Sequence, residues 1–455
     1  MMTLADQESC AAKSRSRERG KRLLPWLLGL MLVTVSFAWG VAYTRHYVFP
    51  HSLISSLARW FHGADSEAPI AQSGSGGVSI RRPSSFELLQ TLGYVGTSTA
   101  NAANGQGASV VDAVQMQPGL SLYTTGHADV ARLIDEAGAL VHQWALPRDQ
   151  VWWDSPLAQR QQFVGIRSAT VLPDLSLLAI YDYLGLMKLD RDSTPIWIVR
   201  NGAHHDMWIT EDDRIFLLNH HLAEVPEIHP NQQMVIDMVT VLDSQGTTIG
   251  EYSLVDLMLR SPFAFLLPSV NDLATDYPID LLHTNSIQVF DGSLASLEPR
   301  LFAKGNVLLS LRNISTLVIA DLDAGEVLWA WGPSNITFQH SARLLPGGSI
   351  LLFDNGIEWS TAVEIDPLTR RRLWSWRGSD NDRLRSRIYG SCQRQPNGNT
   401  LIVDSMQARA LEVSPEGQIA WTFLTPPLED GRVPVLYSMT RYDRSYFQAN
   451  QKSQR

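Results

Sequence analysis

Cysteine is nearly absent from this chain: its 455 residues include two, Cys10 and Cys392. An apolar segment at residues 23–43 lies between them, so the two cysteines cannot pair if that segment crosses a bilayer. We therefore expect neither a disulfide framework nor a metal site built on cysteine.

Charge is also scarce, at 18% of the residues, and its sign is uneven. The first 22 residues carry six basic and three acidic side chains, which leaves −12 for the rest of a chain whose net charge is −9. An acidic main domain argues against nucleic-acid binding. The sequence also lacks a P-loop and the GxSxG, HExxH and CxxC motifs. Nothing therefore favours a nucleotide-dependent transfer, and no cofactor is expected.

The N-terminal region holds one long apolar run. Residues 23–43 are 21 consecutive uncharged residues, and a helix of ~20 apolar residues spans a bilayer. The basic cluster before this run places the N-terminus in the cytoplasm. A cleaved signal peptide is the alternative, but the run exceeds the usual ~7–15 residues and no small-x-small site follows it. We predict a cytoplasmic basic tail (1–22), a transmembrane helix (23–43), and a juxtamembrane segment with a flexible linker (44–117).

From about residue 118 the chain becomes a series of short apolar strands and turns with a recurring pattern. Each copy has an apolar residue, a turn residue and then an aromatic residue, and the copies are centred on Asp135, Asp190, Asp243, Asp323, Asp366 and Ser414. Repeats of ~40–55 residues with a hairpin and an aromatic are typical of propeller blades. An insertion at 255–277 explains the one longer interval.

We therefore predict an all-β fold, a six-bladed β-propeller over 118–440 that follows the transmembrane helix and precedes a polar tail at 441–455. A β-sandwich is the alternative, but it would not repeat one motif six times. The recurring Asp residues are interpreted as turn formers, and the Trp residues as packing between blades.

A second hairpin in each repeat carries the candidate functional residues. In one copy a strand that begins at His340 leads into a turn at Pro346-Gly347-Gly348. Counting back from the matching turns in other copies indicates Arg167, His205 and Gly390, and a further copy with a longer turn has His283. Equivalent positions on successive blades form a ring around a propeller axis. These side chains should converge at one mouth of the channel, and Arg312 lies on the strand paired with that of His283.

Three imidazoles and one or two guanidinium groups around a concave site suit a tetrahedral anion such as sulfate or phosphate. Arg offers a fixed fork of donors, and imidazole acts as donor, acid or nucleophile near neutral pH. Zinc bound by the three histidines is an alternative, but no Asp or Glu shares their register and Arg is an unfavourable neighbour for a cation. His204 points to the opposite strand face from His205, which favours a structural role, and His220 is also interpreted as structural.

Five stretches together resemble the bacterial arylsulfate sulfotransferase (ASST) family, which works without 3′-phosphoadenosine-5′-phosphosulfate. They are residues 118–123, 204–207, 280–287, 310–313 and 339–343, within a resemblance that covers roughly 118–425. It implies a six-bladed periplasmic propeller that moves a sulfuryl group between phenols by a ping-pong route. It also implies that His340 becomes sulfated, while His205, His283 and Arg312 hold the sulfuryl oxygens and assist the leaving phenolate. Arg167, Asn285 and His204 are expected to bind the substrate.

The leading hypothesis is a sulfotransferase anchored in the bacterial inner membrane by one helix, with its propeller in the periplasm. Its expected partners are an aryl sulfate, a phenol and the membrane, and not nucleic acid. One alternative is a propeller that binds an anionic glycan or a protein partner without catalysis. A third hypothesis is a metal-dependent hydrolase.

Overall fold

The computed structural model describes residues 106–155, 165–268, 278–379 and 382–447, all within a compact unit that spans 82–455. The predicted tail 1–22 and transmembrane helix 23–43 lie outside these residues, as do most of the predicted linker 44–117 and the last part of the predicted tail 441–455. No helix in the described ranges has the length and apolar character needed to cross a membrane. Cys392 is a free, buried thiol, and Cys10 lies outside the described residues.

The described strands form six sheets, which confirms the predicted all-β, six-bladed propeller. From the innermost strand outward, blade 1 contains β26 (Leu436–Tyr442), β2 (Leu120–Thr125), β3 (Val130–Ile134) and β4 (Leu140–Ala145). Blade 2 contains β5 (Ile166–Val171), β6 (Leu177–Tyr181), β7 (Gly185–Leu189) and β8 (Pro195–Val199). Blade 3 contains β9 (Met207–Ile209), β10 (Ile215–Glu224), β11 (Gln233–Leu242) and β12 (Thr248–Ser253), and β13 (Ile279–Asp280) pairs in parallel with β11.

The other three blades follow the same plan. Blade 4 contains β14 (Thr284–Val289), β15 (Val307–Leu311), β16 (Thr316–Asp321) and β17 (Glu326–Trp331). Blade 5 contains β18 (His340–Leu344), β19 (Ile350–Asp354), β20 (Thr361–Asp366) and β21 (Arg371–Trp376). Blade 6 contains β22 (Ser391–Arg394), β23 (Thr400–Asp404), β24 (Arg409–Val413), β25 (Ile419–Leu424) and, at its outer edge, β1 (Gly107–Val110).

In the part of the chain that the structure describes, helices are few and short. Helix α1 (Arg148–Val151) follows β4, and helix α2 (Leu254–Arg260) begins the insertion after β12. Single 3-10 turns lie at Ala264–Leu266, Ser405–Gln407 and Arg444–Phe447. After the insertion the chain returns through β13, beside β11, and this return places Asp280 just before the innermost strand of blade 4.

The recurring Asp of the repeats lies in the turn between the third and fourth strands of a blade. Asp135 Oδ1 accepts hydrogen bonds from the amides of Ala137 (3.0 Å) and Ala139 (2.8 Å). Asp190 and Asp243 accept the equivalent pairs of bonds. An Asp side chain that bonds to the backbone two residues on stabilises such a turn, so these residues are turn formers as predicted.

The repeated tryptophans join neighbouring blades. Trp329 Nε1 of blade 4 donates to Pro367 O of blade 5 (3.0 Å), and Trp421 Nε1 of blade 6 donates to Glu136 O of blade 1 (2.8 Å). Equivalent bonds from other blades come from Trp144, Trp197 and Trp374. Each indole buries apolar area while its single polar atom finds a partner, and the tryptophans therefore pack the blades against one another as predicted.

Opposite ends of the domain complete the first and last blades. The C-terminal strand β26 is the innermost strand of blade 1, and β1 is the outermost strand of blade 6. The propeller strands thus extend past both predicted limits, 118 and 440. Arg441 in β26 forms a buried ion pair with Glu412 of blade 6, and its amide donates to Gln393 Oε1 (2.8 Å). These contacts close the ring of blades.

Apolar side chains cover both faces of the strands that support the inner strands. All five residues of β6 are at most 1% exposed, so this strand shows no alternation of apolar and polar residues. The reason is that each blade packs against a neighbour on both faces. Burying one Leu or Ile side chain contributes about 1.5–3 kcal/mol to the free energy of folding. The strands next to the inner strands are therefore well packed and hold the inner strands in place.

Candidate active site

One position on each innermost strand faces the axis of the propeller. In blades 2 to 6 it lies five residues before the amide that closes the inner hairpin turn, at residues 172, 210, 290, 345 and 395. In blade 1, which has no such turn, the strand pairing identifies the equivalent residue. The six ring residues are Arg167, His205, Asn285, His340, Gly390 and Tyr437. All six line one central cavity of about 790 Å³, a volume typical of small-molecule sites.

The register corrects one prediction and adds one residue. Asn285, not His283, occupies the ring position of blade 4, because the 17-residue connection between the paired ends Val289 and Val307 obscures the turn from which residues are counted. His283 lies two residues upstream and does not line the central cavity. The sequence repeat did not indicate Tyr437, because its strand comes from the far end of the chain and completes blade 1.

The backbone at the ring departs from regular strand geometry. Arg167, Asn285 and Tyr437 are each the extra residue of a bulge between the two inner strands. His205 and His283 have φ of 54° and 50°, in the left-handed region that is uncommon for residues other than glycine. Bulges and such conformations re-aim side chains next to active sites. Four of these residues, Arg167, His205, Asn285 and Tyr437, line the central cavity.

Gly390 leaves the sixth ring position without a side chain for a steric reason. Its φ is +100°, and a Cβ atom added there would lie 2.5 Å from Cε1 of Phe353 in the neighbouring blade. Phe353 is fully buried in that blade, so a side chain at position 390 would overpack it. The ring position of blade 6 therefore contributes backbone only.

His340 is held in one tautomer by its neighbours. Its Nδ1 lies 2.7 Å from Asn355 Oδ1 and 3.0 Å from Phe338 O, both acceptors. Asn355 Nδ2 donates to the carbonyls of Ser386 and Tyr389, at 2.6 and 2.7 Å, so its oxygen is the atom that faces His340. The Nδ1 atom of His340 therefore carries the proton, and Nε2 keeps its lone pair.

Burial lowers the pKa of His340 well below its ordinary value of ~6.5. The positive charges of Arg312 and Arg167 lower it further, and these effects outweigh the opposing hydrogen bond with Asn355. His340 is consequently a neutral imidazole at neutral pH. A neutral ring with a lone pair on Nε2 is the form that acts as a nucleophile.

Arg167 packs against two aromatic rings that also contact each other, an arrangement we call the aromatic clamp. Its guanidinium carbon lies 4.0 Å from the centre of the Tyr389 ring and 5.1 Å from that of the Tyr437 ring. Such cation–π contacts are worth about 0.5–2 kcal/mol. Behind it, burial raises the pKa of Asp182 to about 6, although the charge of Arg167 opposes this rise. The clamp fixes a forked donor at the cavity wall, as expected for an anion site.

Arg312 approaches the site from beside the cavity rather than from its wall. Its guanidinium carbon lies 4.8 Å from the centre of the Phe338 ring, and its Nη1 donates to Asn313 Oδ1 at 2.8 Å. Arg312 is absent from the residues that line the central cavity, yet its charge is the largest influence on His340 after burial. Arg312 therefore acts on the imidazole of His340 through the electrostatic field of its charge.

His283 lies behind His205 and pairs with a carboxylate. Its Nδ1 makes a short hydrogen bond with Asp280 Oδ2, and its side chain is 12% exposed. The rings of His283 and His205 meet edge to face, with centres 4.9 Å apart. Burial would raise the pKa of Asp280, but the charge of His283 and this hydrogen bond outweigh it and lower the pKa. Asp280 is thus a carboxylate that orients His283.

His204 belongs to a second polar cluster, which we call the rear cluster: His204, His220, Asp237 and Asp280. Its members line a small separate cavity together with Tyr183, His205 and His283. His204 stacks on His220 with ring centres 4.6 Å apart, and its Nδ1 lies 2.8 Å from Nδ1 of His205. His204 therefore contacts His205 and not the central cavity, contrary to a direct role in substrate binding.

Burial dominates the electrostatics of the rear cluster. It lowers the pKa of His204 well below the ordinary value and that of His220 to about 4. Burial also raises the pKa of Asp237 to about 7, and the nearby charge of Asp280 contributes to this rise. Among the described residues, His204, His220 and Asp237 form the group whose donor atoms are close enough to hold a metal ion, all within 4.8 Å of one another.

Comparison with protein families gives one match. A family model described as Arylsulfotransferase (ASST) matches residues 171–425, more than half of the chain. This range contains four of the six ring residues, from His205 to Gly390, and the whole rear cluster, whereas Arg167 and Tyr437 fall outside it. Comparison with curated proteins found no match.

Similar solved structures are distant. A protein of unknown function from Bacteroides caccae is 12% identical, with a TM-score of 0.45, over 71% of this chain and 99% of that chain. A virginiamycin B lyase from Staphylococcus aureus is 9% identical, with a TM-score of 0.35, over 58% and 71%. BamB from Moraxella catarrhalis is 13% identical, with a TM-score of 0.32, over 72% and 84%. These scores are too low to bear on function.

Proposed function

The chain belongs to the arylsulfotransferase (ASST) family, and on that premise we propose that it moves a sulfuryl group from a phenolic sulfate ester to a phenol through a sulfated His340. Family membership supports an aryl sulfotransferase-like function. One observation carries the finer proposal: Nδ1 of His340 lies 2.7 Å from Asn355 Oδ1, to which it donates its proton. Nε2 of this cavity-lining residue therefore keeps its lone pair.

In the first half-reaction Nε2 of His340 attacks sulfur as the bond from sulfur to the phenolic oxygen breaks. The new bond uses the Nε2 lone pair, and the electron pair of the broken bond leaves on the phenolate. Arg167 and His205 line the cavity and donate to the sulfuryl oxygens, while the field of Arg312 stabilises the developing negative charge. The pKa of His205 is lowered by burial and by Arg167, so His205 acts as a neutral donor.

The proton carrier in this proposal is His283. Asp280 stays ionised and hydrogen-bonds to His283 Nδ1, so Nε2 is the His283 nitrogen left to exchange a proton. His205 lacks such a carboxylate, since Arg167 and the other histidines surround it. Two imidazoles in different electrostatic surroundings thus take different roles. Because His283 lies behind His205 and does not line the central cavity, it exchanges the proton with the phenolic oxygen through one water molecule.

The second half-reaction reverses the first on an acceptor phenol. His283, now neutral, removes the phenol proton, and the phenolate attacks the sulfur of sulfated His340. The nitrogen–sulfur bond breaks, its electron pair returns to Nε2, and the new aryl sulfate leaves. Both groups end in their starting protonation states, so no nucleotide and no cofactor is consumed.

Turnover of 4-nitrophenyl sulfate in the presence of phenol tests the activity. Wild type should release nitrophenolate, and His340→Ala and His340→Asn should lower the rate by at least about a thousandfold, as removal of a nucleophile does. His221→Ala is the matched control, because His221 is an exposed histidine on β10. Turnover that persists in both His340 variants would overturn the assignment.

Trapping the intermediate separates catalysis from simple anion binding. Protein treated with 4-nitrophenyl sulfate without acceptor should gain the mass of one sulfuryl group on the peptide that contains His340, and added phenol should remove it. A propeller that binds an anionic glycan or protein without catalysis would bind the sulfate ester and gain no mass.

We also propose that residues 23–43 anchor the chain in a bacterial inner membrane, with residues 1–22 in the cytoplasm and the propeller in the periplasm. The apolar run and the basic residues before it support this arrangement. Protease added to spheroplasts should digest the propeller of the full-length chain while a tag at the N-terminus stays protected. Release of a shortened chain into the periplasmic fraction would show cleavage instead.

A further inference from the structure

The rear cluster holds more buried polar atoms than its own hydrogen bonds satisfy. Nε2 of His204, Nε2 of His220 and Oδ1 of Asp280 are all buried and have no hydrogen-bond partner among the described residues. A buried polar atom without a partner costs about 1–3 kcal/mol. These three atoms belong to residues that line one small cavity, together with Asp237. A shared ligand at that point would satisfy all of them.

The donor types and their spacing fit a metal ion. The ligand atoms of His204, His220 and Asp237 lie within 4.8 Å of one another, and His204 Nε2 is 3.7 Å from Asp237 Oδ1. A tetrahedral ion with bonds of ~2.0–2.2 Å keeps its ligand atoms about 3.4 Å apart. The three groups therefore need to close by up to about 1.4 Å. The cavity has about 10 Å³ open to a water-sized sphere, room for one small ion.

The surrounding contacts orient the donors as a metal site requires. Asp237 Oδ2 accepts hydrogen bonds from the amide (2.7 Å) and the hydroxyl (2.8 Å) of Thr284, which leaves Oδ1 for an ion. Asp280 Oδ2 is engaged by His283, which leaves its own Oδ1. Such second contacts are characteristic of metal ligands. Two carboxylates would also balance the charge of a divalent cation.

From this geometry we propose that His204, His220 and Asp237 bind one divalent transition-metal ion, Zn²⁺ in the first instance, with the carboxylate of Asp280 at the same small cavity. Two imidazoles and carboxylate oxygens in a tetrahedral set suit zinc. The site differs from the zinc site considered at the channel mouth, since it excludes His205, His283 and His340. It stands whether or not the chain transfers sulfuryl groups.

The ion would control a ring residue through one hydrogen bond. A metal on His204 Nε2 uses that lone pair and leaves the His204 proton on Nδ1. That proton is donated to His205 Nδ1, 2.8 Å away, so His205 carries its own proton on Nε2. His205 lines the central cavity and therefore becomes a donor to an anion rather than an acceptor. The metal is thus a positioning device for the anion site.

Metal analysis of the purified full-length chain tests the proposal without substrate. After dialysis into metal-free buffer, wild type should retain close to one zinc per chain. His220→Gln should lose it, and His221→Gln should keep it, because His221 is the exposed neighbour of the buried ligand on β10. Less than about a tenth of an equivalent in wild type, or a folded His220→Gln with full zinc, would overturn the site.

A second measurement decides the matter if His220→Gln does not fold. Wild type stripped with EDTA should bind one equivalent of Co²⁺ with the intense visible absorption of a tetrahedral ion, and added Zn²⁺ should remove that absorption. Zn²⁺ should also raise the melting temperature of stripped wild type. Weak, unsaturable Co²⁺ binding would mean that a water molecule fills the cavity. Metal content is read apart from turnover, so failure here leaves the sulfotransferase proposal intact, and the reverse holds too.

Discussion

Asn355 Oδ1 lies 2.7 Å from Nδ1 of His340, and the same amide group donates to two carbonyls of the chain leading into blade 6. The orientation of the proposed nucleophile in blade 5 therefore depends on the main chain of the next blade. Asn355 follows directly after β19, the strand that pairs with the strand of His340.

Replacing Asn355 by Ala should lower kcat for 4-nitrophenyl sulfate about 10–100-fold and leave KM nearly unchanged. The proton on His340 Nδ1 then has only Phe338 O as its partner, and a fraction of the rings presents a protonated Nε2. Single-turnover formation of sulfated His340 should slow in the same ratio. Asn335→Ala, on an exposed loop, is the control. Equal losses in both variants would contradict a positioning role.

Activity should extend to lower pH than an ordinary histidine allows. Protonation of His340 removes its lone pair, so kcat/KM falls as the pH drops through the pKa of His340, which burial and Arg312 hold well below ~6.5. The acid limb of wild type should therefore lie well below pH 6.5. Arg312→Gln removes one of the lowering charges and should move this limb to higher pH, whereas Arg312→Lys keeps the charge and should leave it in place. A limb that is the same in all three proteins would refute this account.

The aromatic clamp on Arg167 should contribute measurably to substrate affinity. Tyr389→Leu removes the nearer ring and about 0.5–2 kcal/mol of cation–π attraction, so kcat/KM should fall about 2–30-fold, mainly through KM. Tyr389→Phe keeps the ring and should fall much less. Steady-state kinetics with 4-nitrophenyl sulfate distinguishes the two. A larger loss in Tyr389→Phe would assign the effect to the hydroxyl instead.

The ion pair that closes the propeller should be costly to break from one side. Arg441→Ala leaves the fully buried carboxylate of Glu412 without its partner, and we expect the free energy of unfolding to fall by about 3–5 kcal/mol. Arg441→Met with Glu412→Gln leaves no charge behind and should lose less than Arg441→Ala alone. Urea unfolding measures both. If the double variant is the less stable, the pair itself and not the stranded charge stabilises the closure.

Gly390 offers a steric test of the ring. Gly390→Ala adds a Cβ that meets Phe353 at 2.5 Å, whereas Gly305→Ala, at a similar φ of +93°, meets nothing within 4 Å. Both replacements carry the backbone cost of a left-handed residue, about 1 kcal/mol. Only the first should lose a further ~1–3 kcal/mol from overpacking, as read by urea unfolding. Equal losses would show that the blade yields at Phe353.

The ring illustrates how far pattern reasoning reached. Turns with Pro and Gly lie close in sequence to the strands that they join, so counting from them located Arg167, His205 and His340 correctly on the cavity wall. The same counting failed for His283, where the turn is long, and Asn285 took its place. Counting from turns could not identify Tyr437, since no local turn links β26 to β2.

The partners of the ring residues had no such local signal. Asn355 is 15 positions from His340, and Asp237 is 47 from the Thr284 that orients it. The sequence pattern indicated structural roles for His204 and His220 individually. It did not indicate that their rings stack, with centres 4.6 Å apart. Asp280 lay within a recognised stretch, yet its bond to His283 depends on the parallel return of β13.

Turn residues and apolar strands acted over short distances, and for that reason the chain alone was enough to identify six blades, their outer turns and the family. Bulges, left-handed residues and the packing of one blade on the next were decided in three dimensions. They set which side chains face the axis, which nitrogen of His340 keeps its lone pair and which buried groups meet behind the ring. Such features depend on strand twist and on contacts between distant segments, and neither is encoded in the spacing of a local motif.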